Sequence, residues 1–175
     1  MDEKKLVLRA QDGDMDAFDQ LVLHCWDHAL LFCTRILHDF HAAEDILQES
    51  FAAAYLHLGD YNPQYAFKTW LYRIIRNRSI SYLRKKKPLR MEDSYEVKSP
   101  ESVEELFLQE ELAKELHSAV DRLRSSHQQV LTLVGFEEMS YREAAEVMGK
   151  TEGQVKALLF RARRALKRQM EGGAS

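Results

Sequence analysis

Only two cysteines, three prolines and seven glycines occur in 175 residues. So few chain breakers leave room for little besides long helices and short turns, which predicts an all-α fold. Cys25 and Cys33 stand eight positions apart. On a helix that is about 12 Å along the axis, too far for a disulfide. They read as small buried hydrophobes in a reducing compartment. No apolar N-terminal run resembles a signal peptide, and none approaches the ~20 residues a membrane span needs, so the expected location is cytoplasmic. Neither a phosphate-binding glycine loop nor a Ser-His-Asp arrangement can be recognised, so no enzyme activity and no cofactor is expected. His24 and His28 have metal-compatible spacing. Cys25, however, lies about 100° round the helix from His24, on the apolar stripe, and no zinc-protease glutamate accompanies the pair. No metal site is assigned.

The most informative lack is local. Between Tyr61 and Met91 there is no Asp or Glu, while nine Lys or Arg occur (Lys68, Arg73, Arg76, Arg78, Arg84, Lys85, Lys86, Lys87, Arg90). Tyr61, Tyr65, Phe67, Trp70, Tyr72 and Tyr82 are interleaved with them. A basic aromatic helix in a chain of net charge −3 is an electrostatic footprint for nucleic acid, and rings mixed with cations suit unpaired bases. The plainer alternative is an amphipathic helix with core rings and solvated cations. Around this stretch the charge alternates: residues 1–60 are net −8, residues 92–138 net −8 and residues 139–175 net +4. Two basic segments suggest two nucleic-acid contacts, and the two acidic segments that alternate with them suggest surfaces that face something else.

In chain order, Leu6–Gln11 reads as a short helix stopped at Gly13, and Asp14 as the cap of a long core helix ending near His38-Asp39. Ala42–Leu58 forms the next helix, with an acidic outer side. A turn at Gly59–Pro63 leads into a helix over Ala66–Lys85, whose apolar stripe is Phe67, Trp70, Leu71, Ile74, Ile75, Ile80 and Leu83. That stripe makes Trp70 and Leu71 core rather than base-stacking groups. Pro88 ends the helix, and residues 88–103 read as a flexible linker. Helices over Val103–Leu123 and His127–Phe136 follow. Ser140 and Glu143 make a capping box for Tyr141–Met148, Gly149 a tight turn, and Thr151 a cap for a cationic last helix. The last pair has helix-turn-helix spacing.

Taken together these segments resemble one family. AEDILQESFAAAY (Ala43–Tyr55), FKTWLYRIIRN (Phe67–Asn77) and YLRKKK (Tyr82–Lys87) resemble domain 2 of bacterial RNA polymerase sigma factors of the extracytoplasmic-function class. SYREAAEVMGKTEGQVKALLFRARRALK (Ser140–Lys167) resembles their domain 4. The resemblance implies two small helical domains, 1–87 and 104–175, joined by the 88–103 linker. It also implies roles. Asp45, Gln48 and Glu49 would dock the coiled coil of the largest polymerase subunit, while domain 4 meets the flap. Lys68, Arg73, Arg76 and Arg84 would hold phosphates at the −10 element, with Asn77 reading a base and Tyr65 walling its pocket. Gly153, Lys156, Ala157, Phe160, Arg161 and Arg164 would face the −35 element. Ala157-Leu158 departs from the family, which usually has a small hydroxyl residue and then a basic one. An anti-sigma factor, often membrane-anchored, is implied as a further partner.

The expected function is that of an initiation factor lending promoter specificity to RNA polymerase core, with promoter DNA as target and no small-molecule substrate. The competing reading is a stand-alone helix-turn-helix regulator. It leaves the acidic helix and the basic aromatic stretch without a purpose.

Overall fold

In the computed structural model, which describes residues 2–86 and 111–172, local capping signals set most helix boundaries. α1 (Glu3–Gln11) starts at Asp2, whose carboxylate accepts from Lys5 N. α2 (Met15–Leu37) starts at Asp14, which accepts from Ala17 N, and stops at His38 in the left-handed conformation (φ 56°). Asp39 immediately caps α3 (Phe40–Leu56) through Ala42 N. Each such cap stabilises its helix by about 1 kcal/mol. α3 therefore begins two residues before the expected Ala42. It ends before Leu58, which instead opens a 3₁₀ turn, Leu58–Asp60. Leu58 stays buried there, and its carbonyl accepts from Gln11 Nε2, tying the turn to α1. α4 spans Phe67–Lys86.

In the C-terminal half, α5 is Glu111–Asp121 and α6 is Ser125–Val130. The expected start of α5 at Val103, the stop at Pro88 and the 88–103 linker lie outside the described residues. α6 continues as a π-helical segment, Leu131–Phe136, closed by a bond from Glu137 N to Thr132 O. Glu138 then takes a positive φ (56°). α7 (Tyr141–Met148) has the expected Ser140–Glu143 capping box and ends at Gly149, whose φ of 64° suits a residue without a Cβ. α8 (Glu152–Gly172) follows, with a second reciprocal cap between Thr151 and Gln154. Among the described residues there is no strand, and no helix is long and apolar enough to cross a membrane.

The N-terminal core is a bundle of α1–α4. Its centre is aromatic: Phe18 meets Tyr55 edge-on, Trp26 stacks on Phe51, and Phe32 stacks on Tyr72 at 5.1 Å between centroids. Cys25 and Cys33 are both buried thiols, pushed up to about 12 by desolvation, which suits packing and not redox chemistry. The C-terminal half packs α5, α6 and α7 against the apolar side of α8, where Val155, Leu158, Leu159 and Ala162 are buried. The two halves share one continuous apolar core, with α6 against α2 and α7 against α4.

Candidate nucleic-acid and polymerase interfaces

The basic aromatic stretch divides once it is folded. Phe67, Leu71, Tyr72 and Ile75 are fully buried. Tyr61, Phe67 and Trp70 form one ring cluster with centroids under 6 Å apart. The rings are thus mainly scaffold. For Tyr72, counted above among rings that could meet bases, this is a correction. It lies a full turn beyond Lys68 on the inward side, stacked on Phe32, and burial pushes its phenol well above the ordinary range.

The six residues assigned to the −10 element fall into two groups. Asn77 and Arg84 are exposed. Asn77 lines a cleft of about 590 Å³ between α3 and α4, together with Asp45, Glu49, Arg78, Tyr82 and Lys85. The cleft brings both acids of the candidate docking face and the base-reading candidate to one place. Asp45, Gln48 and Glu49 are all exposed on α3, and Glu49 approaches Arg78 at only 3.9 Å. The Asp45 and Glu49 carboxylates and the Gln48 amide oxygen remain available to cations of a partner.

Lys68, Arg73, Arg76 and Tyr65 form the second group, and all four meet the C-terminal half. Lys68 Nζ donates to the backbone carbonyl of Glu137 at 3.0 Å and pairs with its carboxylate at 3.1 Å. Arg73 pairs with Glu146 at 2.6 Å. Arg76 Nε donates to Gln129 Oε1 at 2.7 Å, and burial depresses its guanidinium pKa. The Arg142 guanidinium lies over the Tyr65 ring at 5.2 Å. The acidic segment 92–138, expected to face an outside surface, thus turns Glu137 toward the chain's own basic helix.

Two side chains that the sequence reading did not single out are central to this contact. Glu137 is 7% exposed and also bonds His28 Nδ1 on α2 at 2.7 Å. Burial pushes its carboxyl pKa up, but the His28 bond and the Lys68 charge outweigh that and hold it below the usual range. The same contact raises His28. In the opposite direction, Arg35 of α2 is 1% exposed inside the C-terminal half. It donates to Asp121 Oδ1 (2.9 Å), Thr132 Oγ1 (3.0 Å) and His117 Nδ1 (2.8 Å), and lies 5.4 Å from the Phe136 ring centre. Burial and the guanidinium push His117 down to about 4, so it is a neutral acceptor. A lone cation in the apolar run LLFCTRIL was the sequence signal for Arg35.

The helix-turn-helix is open. Gly153, Lys156, Ala157, Phe160, Arg161 and Arg164 are all exposed on α8, opposite its buried side. Arg164 lies against the Phe160 ring (5.7 Å) and Lys156 against Tyr141 (5.7 Å). Leu158 is buried, so of the two departing positions only Ala157 reaches the outer face.

The geometry agrees with comparisons to known proteins. Residues 24–88 match the sigma-70 region 2 family and residues 113–166 the sigma-70 region 4 family. RNA polymerase sigma-H factor of Pseudomonas aeruginosa is 35% identical, over 97% of this chain and 94% of its own. ECF RNA polymerase sigma factor SigW of Bacillus subtilis is 32% identical over 95% of this chain and 96% of its own. This chain is an extracytoplasmic-function sigma factor. Among solved structures, CnrH in complex with the cytosolic domain of CnrY superposes with a TM-score of 0.70 at 26% identity, covering 97% of both chains. RpoE from Bartonella quintana, solved with the anti-sigma factor NepR, shares the fold (TM-score 0.68, 22% identity, 88% of this chain and 96% of that one). The sigma factor binds RNA polymerase core and promoter DNA and directs initiation to specific promoters.

Proposed function

We propose that the sigma factor reads the −10 element with α4 and the −35 element with α8, while the acidic face of α3 holds the polymerase. It would act in the cytoplasm without catalytic chemistry of its own. The observation that carries this reading is the division of each working helix into a buried apolar side and a polar side that bears all of the assigned residues on α8 and Asn77 and Arg84 in the open on α4. On α8 these are Gly153, Lys156, Ala157, Phe160, Arg161 and Arg164. On α4, Asn77 opens onto the cleft it shares with Asp45 and Glu49. Duplex opening costs stacking energy, which capture of an unpaired base by an amide and of the backbone by cations offsets.

CnrH is held by the cytosolic domain of a second protein, and we infer that a protein partner of the same kind, an anti-sigma factor, holds this chain. The test is selection of promoter sequences by the reconstituted holoenzyme, repeated with Asn77→Ala. Loss of an amide that reads a base edge should reduce discrimination at one −10 position by about tenfold. Unchanged preference there means Asn77 is not the reader.

A further inference from the structure

In α1, α2, α3, α7 and α8 the residue before the helix supplies its own cap: Asp2, Asp14, Asp39, Ser140 and Thr151 each accept from the amide three residues on. α4 has no such residue, because Ala66 stands before Phe67 and carries no acceptor. The acceptor comes from α1 instead. Glu3 Oε1 takes the Phe67 N–H at 3.0 Å. At the other end of the same loop, Gln11 Nε2 of α1 donates to the Leu58 carbonyl at 3.0 Å. We propose that α1 positions the loop between α3 and α4, which walls the −10 base pocket, and that Glu3 and Gln11 are its two positioning residues. The proposal rests on the reading of this loop and Asn77 as that pocket.

The two bonds bracket the loop. Glu3 and Gln11 are the first and last residues of α1, about 12 Å apart along its axis. Their partners are the residues on either side of positions 59–66. α1 is itself fixed by Leu6, Val7 and Ala10, which are buried in the N-terminal core. Between the two bonds the loop has an order of its own. The Tyr61 hydroxyl donates to the Tyr65 carbonyl, and Asn62 Oδ1 accepts from Gln64 N at 3.0 Å. The Tyr61 ring lies against Phe67 and Trp70. Asn62, Pro63 and Gln64 at the tip are exposed. The loop is therefore held at both ends by α1, with its tip in the open.

Neither bond has a local substitute. The first amide of a helix has no intrahelical acceptor, so loss of Glu3 leaves the Phe67 N–H without a protein partner. Glu3 also belongs to the first turn of α1, so one carboxylate faces the N-terminal ends of two helices. The Leu58 carbonyl already accepts from Tyr61 N at 3.2 Å, so the Gln11 bond fixes where that turn sits and not whether it closes. A pocket wall acts on discrimination through its population. The preferred base uses the wall, and a base that does not fit gains nothing from it. Loosening the wall weakens capture of the preferred base alone, in proportion to the time the wall is out of place.

The test uses the full chain reconstituted with polymerase core. The proteins are wild type, Glu3→Ala, Glu3→Gln, Gln11→Glu, the double variant Glu3→Ala with Gln11→Glu, and Asn77→Ala. Each holoenzyme is offered its selected promoter in competition with single-base substitutions at −10 and at −35. The −10 region is unpaired by mismatch, so that melting does not enter. The readout is the ratio of the two affinities, which does not depend on how much of a preparation is folded. The double variant should lower the −10 ratio about tenfold and leave the −35 ratio unchanged, since α8 carries its own cap. Gln11→Glu keeps the volume and removes the donor, so it should lower the −10 ratio by itself. Glu3→Gln keeps an acceptor for Phe67 N and should retain the wild-type ratio. In the free chain, hydrogen exchange at the Phe67 amide should be about tenfold faster in Glu3→Ala. An unchanged −10 ratio in the double variant, an equal fall at −10 and −35, or unchanged Phe67 exchange overturns the proposal. Asn77→Ala separates it from the reading on which it rests. A ratio lowered by Asn77→Ala and not by the double variant overturns the role of α1 and leaves the pocket standing. A ratio lowered by the double variant alone supports α1 and removes Asn77 as the reader. If neither lowers it, the pocket falls and the role of α1 with it.

Discussion

Leu71 and Arg73 stand two residues apart on α4 and do opposite work. Leu71 is fully buried, while Arg73 is half exposed and pairs with Glu146 of α7. Leu71→Ala should cost about 2–5 kcal/mol of stability, through lost burial and the cavity left behind. Urea unfolding monitored by circular dichroism measures this directly. Arg73→Ala removes a pair between partly exposed groups and should change stability by less than about 1 kcal/mol. The same substitution should weaken binding of the holoenzyme to the −10 element if the guanidinium holds a phosphate there. A Leu71→Ala protein of wild-type stability would place that side chain outside the core. The basic aromatic stretch thus contains two interleaved sets of residues, separated by a rotation around the helix and not by position along it.

At the scale of the element, α8 shows what local signals can specify. The Ser140–Glu143 and Thr151–Gln154 caps and the Gly149 turn fix where the two helices of the motif meet. All of them depend on residues within four positions of one another, so the sequence alone exposes them. The start of α3 is equally legible in Asp39, a cap three residues before the Ala42 to which the apolar stripe points. The π-helical segment Leu131–Phe136 has no such signature, because its pattern of apolar residues is close to that of an α-helix. The departure at Ala157-Leu158 also becomes clearer once the helix is folded. Leu158 belongs to the buried side, so a cation placed there would enter the core and not the groove. Leu158→Arg should destabilise the C-terminal half by about 3 kcal/mol or more, without any gain in duplex binding. On the exposed side, Arg161→Ala should lower the slope of log affinity against log salt by about 0.9 if the guanidinium holds a phosphate. Anisotropy titrations over a series of salt concentrations measure that slope.

At the scale of the whole molecule, the two-domain organisation was legible, but the contact between the domains was not. Arg35 and Asp121 are far apart in sequence, as are Lys68 and Glu137, and no periodicity joins residues at such separations. The contact they form between the halves also has a dependence on pH whose sign follows from its groups. His117, beside Arg35, is pushed down to about 4 and is neutral when closed. An open chain would return it toward 6.5, so its contribution to closure is lost as pH falls from about 6.5 to 4. Glu137 is held below 4.5, and its contribution is likewise present above that value and lost in acid. His28 has the opposite sign. Its value is raised by Glu137, so its contribution is full below 6.5 and is lost as pH rises through the raised value. His28 is half exposed, so solvent screening makes that limb the shallower one. The Arg35–Asp121 and Lys68–Glu137 ion pairs hold the two halves together. The closed form should therefore be most populated near neutral pH and should open steeply in acid and weakly in base. Scattering across pH 4.5 to 8.5, with helicity followed in parallel, measures it. His117→Gln should flatten the acid limb and leave the alkaline one, and His28→Gln the reverse. A radius that does not respond to pH in wild type would mean that these histidines do not sit at the contact between the halves.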